Sequence, residues 1–588
     1  MIIPMKKVSL VVQKKDAENT LMRLRDIGVV HVIHENPPEG TGVAEVKEEV
    51  RALQEAIHFL EGQGASHATQ GSGRIEMIER ITDCVHQIRQ LKDDMAKRHS
   101  LISQWEPWGD FNPKDVESFA HKDLHAGLFK ISVKQLKNLP DDVVCNKIFV
   151  KDQVAHCFVL CKEKKALGFQ EVHLPQISLS QMKEAQSADA NKIQNIKNEL
   201  KRYHSCFNSF KHILEEKFSD LRLKEALAGM GAAEELSYLV GFCPSSACVE
   251  VKNVSRKEKW GLVIEDPSDD DKVPTLLKNP KWVDMIKPVF SMMNVLPGYK
   301  EFDISVFFLV FLSIFFGILI GDAGYGVIFF LGTLFAHIKL NQKMKDKAPL
   351  FLMYVLSTCA IVWGLLTGTI FGQAWIKGIF NPLLPWLNNA QNMQMLCFLI
   401  GAIHLSIAHI WKTILKIPSL CALSEIGWIS ILWGMFFVAK MLILGDPLPQ
   451  AGKLMLLAGS TLVVFFSQPK KNIFKTVGLG LGELLMSIVN MFTDIVSYIR
   501  LFAVGLATVA VADAFNQMAF GIGFNSFLAG LATAMILVLG HLLNIALGAM
   551  AILVHGIRLN VLEFSSHLNM EWAGMAYNPF RKAERENN

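Results

Sequence analysis

Arg500 is the only charge in the run "IVSYIRLFAVGLATVAVA" (495–512). A guanidinium stays protonated at physiological pH, so this is a fixed positive charge in an apolar setting. At bilayer depth it costs about 2.5–3.5 kcal/mol on insertion scales, and such residues are functional by default. It must face protein or water, and spacing supplies the face. Glu483, Ser487, Asn490, Asp494, Ser497 and Arg500 follow in steps of 4, 3, 4, 3 and 3. On a helix that is one polar stripe. Beyond Arg500 the face continues in small residues, Ala503, Ala507, Ala510 and Ala514, which let another helix approach closely. A second segment repeats the device with His541, Asn544, Gly548, Ala551, His555 and Arg558, in steps of 3, 4, 3, 4 and 3. Two such stripes suit a wet, interrupted ion path. Hydrogen bonding between helices is the alternative for the serines and asparagines. For Arg558 it is snorkelling to an interface, and for His541 and His555 it is packing. Asp322, in "GILIGDAGYGVIFF", reads as a turn or cap residue among glycines.

These stripes need membrane helices to carry them. Of 588 residues 51% are hydrophobic and 19% charged, against about 25% charged on average. The charges are concentrated before residue 297; between Thr476 and Asn560 only Glu483, Asp494, Arg500, Asp513 and Arg558 carry one. A span needs about 20 apolar residues. Apolar segments fall at 303–321, 324–338, 350–371, 393–411, 424–444, 453–467, 482–519 and 526–563, predicting about eight spans. At 1.5 Å per residue the last two would run about 55 Å, against a hydrocarbon core of about 30 Å, so they must tilt or project. With the N-terminus inside, the inner segments hold Lys339, Lys343, Lys345, Lys347, Lys412, Lys416, Lys470, Lys471, Lys475, Arg581, Lys582 and Arg585. The outer segments hold only Lys377, Lys440 and Lys453. That asymmetry predicts both termini in the cytoplasm. "MIIPMKKVSLVVQKKD" has too short an apolar stretch for a signal peptide.

The charged half reads as α+β. "KKVSLVV" is β-rich, "KDAENTLMRLRDIG" helical and "VVHVIHE" β-rich again. Long polar helices follow, with apolar positions at Ile78, Ile81, Val85, Ile88, Leu91 and Met95, and then at Ile193, Ile196, Leu200, Tyr203, Phe207, Phe210 and Leu214. The second set alternates threes and fours as a heptad seam. "GASHATQGSG" (64–73) breaks the first arm, and "VAHCFVLC" reads as a strand of a distal lobe. The expected fold is therefore two small α/β lobes joined by an antiparallel coiled-coil rod, followed by an all-α polytopic domain with long, tilted last helices. The expected limits are 1–300 for a cytoplasmic domain, 301–570 for the membrane domain and 571–588 for a cytoplasmic tail. Within the first, the proximal lobe takes 1–45 plus 233–275, the arms 46–104 and 178–232, and the distal lobe 105–177. "ELSYLVGFCP" returns to complete the proximal lobe. Two ordinary amphipathic helices in a globular core are the alternative to the rod. Ten scattered cysteines form no CxxC pair with metal spacing. There is no GxxxxGK[ST], and no GxGxxG between a strand and a helix. No metal, cofactor or nucleic acid is expected.

"SYIRLFAVGLA" (497–507), "GDAGYG" (321–326) and "HGIRLNVLEF" (555–564) resemble the membrane motifs of the large stator subunit of V-type/A-type rotary ATPases, called subunit a or subunit I. The likeness covers most of the chain; the first motif is specific, and the second alone would be weak. It implies that Arg500 matches the family's essential arginine, facing the carboxylates of a rotating proteolipid ring, and that Arg558 matches a second functional arginine. It further implies peripheral-stalk E and G subunits on the soluble lobes, coupling of H⁺ or Na⁺ transport to ATP turnover with other V-type ATPase subunits, and a prokaryotic plasma membrane. Such a subunit is not catalytic alone. Ten residues before Arg558 the eukaryotic pattern has a glutamate, where this chain has Gly548.

A secondary transporter with a cytoplasmic coiled-coil domain is the rival reading. It predicts internal repeats with broken helices, which the sequence lacks. A coiled-coil receptor predicts one or two spans and a signalling domain.

Overall fold

A computed structural model describes all residues except 62–73, 120–123, 134, 139–142, 152, 162–169, 202–206, 341–343, 345, 373–381, 468–472 and 583–588. The break at 64–73, Tyr203, and Lys343, Lys345, Lys377, Lys470, Lys471 and Arg585 thus lie outside the described residues. The chain divides into two compact units: one of 1–7, 242–248 and 265–578, the other of 8–241, 249–264 and 579–588.

The second unit opens within strand β1 (Met5–Gln13), followed by helix α1 (Ala17–Ile27), β2 (His31–Ile33), α2 (Thr41–Glu61) and α3 (Arg74–Trp105). Strand β1 alternates buried and open residues, and α1 ends at Gly28 in the left-handed conformation, as helix ends favour. Next come α4 (Pro113–Ser118) and β3 (His125–Ser132), β4 (Val143–Lys151), β5 (Val154–Cys161) and β6 (Gln170–Val172). These strands form an antiparallel sheet of order β4-β5-β3-β6. β5 is the string "VAHCFVLC", and Ile131, Ala155, Cys157 and Val159 form a core on this sheet. Burial pushes the Cys157 thiol up to about 12. The chain continues through α5 (Leu179–Lys201), α6 (Phe207–Ala228), β7 (Gly231–Ala233), β8 (Leu236–Pro244), α7 (Cys248–Glu258) and β9 (Gly261–Glu265). β8 enters between β2 and β1, in the order β2-β8-β1-β9.

The long helices pair in two sets. α3 runs antiparallel to α5, tied by Arg80 to Glu199 at 2.9 Å and by Arg98 to Asp189. α6 lies along α2, with Lys217 2.6 Å from Glu49. The positions from Ile193 to Leu214 therefore belong to two helices with different partners. The side chains of Ile78, Ile81, Phe207 and Phe210 lie outside the described residues. A stricter seam, unread in the sequence, runs along α2: Val43, Val46, Val50, Leu53 and Ile57 are all buried.

The first unit contains β10 (Pro274–Thr275), α8 (Lys281–Asp284), α9 (Lys287–Met293), α10 (Ser305–Ile320), α11 (Ala323–Leu340), α12 (Ala348–Thr367), α13 (Ala390–Lys416), α14 (Ala422–Ala439), α15 (Gln450–Phe466), α16 (Ile473–Ser497), α17 (Ile499–Ile522), α18 (Phe527–Ala551), α19 (Ser565–His567) and β11 (Met575–Ala576). β10 pairs with β11. Among the described residues six helices are long and apolar enough to cross a membrane: 323–340, 348–367, 390–416, 422–444, 477–522 and 527–567. The apolar helices Ser305–Ile320 and Gln450–Phe466 are shorter. The segment expected at 482–519 is two helices, α16 and α17, parted at Tyr498. Phe308, Phe315, Phe398, Leu405, Ile431, Tyr498 and Leu501 are among the fully buried residues of one core. Close backbone approach sets part of the packing. A Cβ on Gly427 would lie 2.9 Å from the Gly459 carbonyl, so α14 and α15 meet at a point only glycine permits.

Candidate functional site

Tyr498 is the anchor. Its ring is fully buried and its hydroxyl lies 2.8 Å from His404 Nδ1. A Cβ on Gly401 would come within 2.7 Å of that ring. His404 is itself stacked between Phe311 and Phe564. Arg500 leaves this fixed point in the first turn of α17. Its Nε donates to the Ser497 carbonyl at 3.0 Å, and its Nη2 donates to the Glu563 carboxylate. Arg558 Nε stands 3.7 Å from the same Glu563 oxygen. Glu563 is 4% exposed and its other oxygen has no hydrogen-bond partner among the described residues. The two stripes thus meet on one buried carboxylate that the sequence analysis did not single out.

The local backbone explains the omission. Residues Ile552–Gly556 and Leu559–Phe564 are π-helical. Five residues of α-helix turn the chain by about 500°, leaving positions 558 and 563 about 140° apart. The wider π-turn bonds i to i+5 and brings them onto one side. A signal was present all the same: Glu563 is the only carboxylate between Asp513 and Glu571.

The remaining stripe residues divide. On α16, Glu483, Ser487, Asp494 and Ser497 are half-buried and Asn490 is exposed. Ala503, Ala507, Ala510 and Ala514 are all exposed on α17. On α18, Asn544 and Gly548 are buried, while Arg558, between the two π-helical stretches that follow, is exposed. Tyr325 of α11 gathers the first part of this stripe: its hydroxyl lies 2.8 Å from His541 Nδ1 and accepts from Asn544 Nδ2 at 3.0 Å. The same amide donates to the Thr508 carbonyl at 2.8 Å. A Cβ at Gly548 would lie 3.0 Å from Ile320 Cδ1. His555 is half-buried. Asp322 accepts from the backbone N–H groups of Gly324 at 2.7 Å, Tyr325 at 3.2 Å and Gly372 at 2.8 Å. That is a cap, as its setting among glycines predicted.

A second polar system, also unread in the sequence, begins at Asp494. Its Oδ2 lies 3.1 Å from His567 Nε2. His567 Nδ1 is 3.0 Å from His409 Nε2, and His409 Nδ1 is 2.8 Å from Glu425 Oε2. Lys416 donates to Glu425 Oε1 at 2.6 Å, with Lys412 at 3.6 Å. The chain joins α16, α19, α13 and α14. Among the described residues no group of histidine, cysteine and carboxylate side chains could hold a metal ion.

No family model matches the sequence. The chain is 31% identical over 616 residues to the V-type ATP synthase subunit I of Borreliella burgdorferi, covering 100% of both chains. It is 29% identical over 626 residues to the V-type ATP synthase subunit I 1 of Treponema pallidum, covering 99% of this chain and 100% of that one. To the A-type ATP synthase subunit I of Methanocaldococcus jannaschii it is 24% identical over 615 residues, covering 92% and 86%. Among solved structures, a cytoplasmic N-terminal domain of subunit I, homolog of subunit a of V-ATPase, aligns over 44% of this chain and 99% of its own at 17% identity and a TM-score of 0.21.

Proposed function

The chain belongs to the V-type/A-type ATP synthase subunit I family, and from that premise we propose that it is the membrane stator subunit of a rotary ATPase, coupling H⁺ or Na⁺ movement to ATP turnover within a multi-subunit complex. The reading comprises eight spans with both termini in the cytoplasm of a prokaryotic cell, the two shorter apolar helices α10 and α15 included. It assigns residues 1–300 to a cytoplasmic stator domain whose lobes and coiled-coil rod hold the peripheral-stalk E and G subunits. Residues 301–570 carry the ions, and 571–588 form a cytoplasmic tail.

The observation that carries the reading is Arg500. It is held on one side by buried Glu563 and continues on the other into an uncovered face of alanines. A proteolipid ring would turn against that face. Arg500 attracts each arriving ring carboxylate and favours its charged form, so the ion leaves into one half-channel. A fresh ion joins from the other after nearly a full turn. The α16 stripe of Glu483, Ser487, Asn490, Asp494 and Ser497 lines the cytoplasmic half-channel. His541, Asn544 and His555 belong to the outer one, where Tyr325 supports the polar group in the absence of a carboxylate at Gly548. The guanidinium also blocks a direct leak. Arg558 acts through Glu563: two cations share one carboxylate, so Arg500 retains net positive charge for the ring.

Arg500→Ala is the test. Arg558 remains beside Glu563, so assembly should survive. ATP-driven ion uptake into vesicles holding the assembled complex should vanish. Arg500→Lys should fail too, since a compact amine lacks the planar fork. Ser487→Ala should be milder, because water can replace one hydroxyl. Normal uptake by an assembled Arg500→Ala complex would refute the mechanism.

A further inference from the structure

The second polar system has a property that its distances alone impose. Three contacts link Asp494, His567, His409 and Glu425, at 3.1, 3.0 and 2.8 Å. Each is a hydrogen bond and needs one hydrogen. A neutral imidazole has one N–H, and an ionised carboxylate has none. Two neutral imidazoles supply two hydrogens for three bonds. The contact between the two rings cannot form together with both ring-to-carboxylate bonds unless one more proton is present.

We propose that Asp494, His567, His409 and Glu425 form a proton relay that holds one exchangeable proton and joins the α16 stripe to the membrane surface at Lys416. The proposal rests on the stator reading and adds a branch to its cytoplasmic side. Its three interior members are shielded: His409 is 4% exposed and Glu425 2%, and the side chain of His567 is 9% exposed. The two ends are open, with the side chains of Asp494 and Lys416 24% and 40% exposed. Dry in the middle and wet at both ends is the arrangement a relay requires.

The step balances. The Nδ1 proton of His567 passes to His409 Nε2, and the Nδ1 proton of His409 passes to Glu425. Two N–H bonds break, one N–H and one O–H bond form, and one unit of positive charge moves from His567 to Glu425. Glu425 then releases the proton to water at the Lys416 end, and the rings turn over to accept the next one arriving through Asp494. The reverse sequence carries a proton inward. Lys412 and Lys416 face Glu425; on His567 the facing groups are Asp494 and His409. A spacing of 3.0 Å between ring nitrogens leaves no gap for another ion, so this branch carries H⁺ alone.

The experiment uses the whole complex in vesicles, in nominally Na⁺-free buffer, with subunit content scored in the same preparation. His409→Gln keeps side-chain hydrogen bonding but cannot relay. It should slow ATP-driven acidification by roughly 10²-fold, the low end of what a positioned proton-transfer group supplies. Glu425→Gln should do the same from the other end. His409→Ala should be equally slow, and added imidazole should restore it. Added 1-methylimidazole fills the same space with no N–H and should not. Wild-type acidification by His409→Gln, equal rescue by both imidazoles, or a requirement for Na⁺ would overturn the relay. If Arg500→Ala abolishes transport while His409→Gln does not, the relay fails and the stator reading stands.

Discussion

Glu563 serves two arginines, and its value depends on what is left when either side of the cluster is removed. Breaking a buried ion pair by deleting one partner costs about 3–5 kcal/mol, because the survivor keeps its charge without compensation. Arg500 is partly exposed, so the lower part of that range applies. Glu563→Gln should therefore reduce the yield of assembled complex. A double Glu563→Gln, Arg500→Gln variant should recover assembly without recovering transport; assembly is read from subunit content after purification. If the single substitution leaves both yield and transport unchanged, Glu563 is not the counter-charge. Asp322 was legible as a cap because its neighbours in sequence are its partners in space. Glu563 was not, because a π-turn separates the helical wheel from the fold. Glu425 and His409 were hidden for another reason: their contacts join α13 to α14 and to α19, residues 16 and 158 positions apart, and no periodicity reports such a meeting. Glu425 is nonetheless the only carboxylate between Asp346 and Asp446, which was a readable warning.

At the scale of elements, two joints matter. One is Tyr498 between α16 and α17, seated on Gly401. Gly401→Ala would push a methyl group into the tyrosine ring, and overpacking of this kind costs about 1–3 kcal/mol. The expected outcome is a lower thermal midpoint of the complex, with transport more sensitive to heat. The other joint is α3 on α5. The Arg98 hydrogen bond holds the Asp189 carboxyl below the usual carboxylate range. A depressed pKa contributes stability above the unfolded value, and that stability is lost as pH falls through the folded one. Hydrogen-exchange protection along α3 and α5, taken relative to the intrinsic exchange rate at each pH, should therefore fall on acidification, and Asp189→Asn should remove that part of the pH dependence. The strand "VAHCFVLC" was legible as a short, mostly apolar run, and both of its faces are covered: Ala155, Cys157 and Val159 lie in one core, and Phe158 packs on another. The seam of the helical arms was legible only in part. Its threes and fours run on from Ile193 to Leu214, but the chain spends them on two helices with separate partners, α3 and α2.

For the whole molecule the open question is sidedness. The eight-span reading puts the segment before α13 outside and the segment before α12 inside. In a background without other cysteines, Trp386→Cys should react with an impermeant thiol reagent from outside, and Lys347→Cys only from inside. Reaction of both from the same side would break the span count. The expected alternation of inside and outside comes from the lysine distribution, a property of whole segments. The apolar segments at 303–321 and 453–467 form helices of only 16 and 17 residues, Ser305–Ile320 and Gln450–Phe466, below the length at which composition alone decides a crossing.

The π-helical turns also bear on insertions and deletions. Each turn accommodates one residue more than an α-helix would. Removing a single exposed residue such as Val554 takes away no charge and no hydrogen-bonding side chain, and would let the backbone relax to ordinary α geometry. Little downstream would then move: four residues of α-helix turn the chain by about 400°, nearly what the five-residue π-turn they replace covers, so Glu563 would stay on Arg500 and His567 on Asp494. A residue removed from α18, upstream of these turns, would instead swing the whole following segment by about 100° and draw it back by about 1.5 Å, so this stretch should tolerate a change of length only within its π-turns.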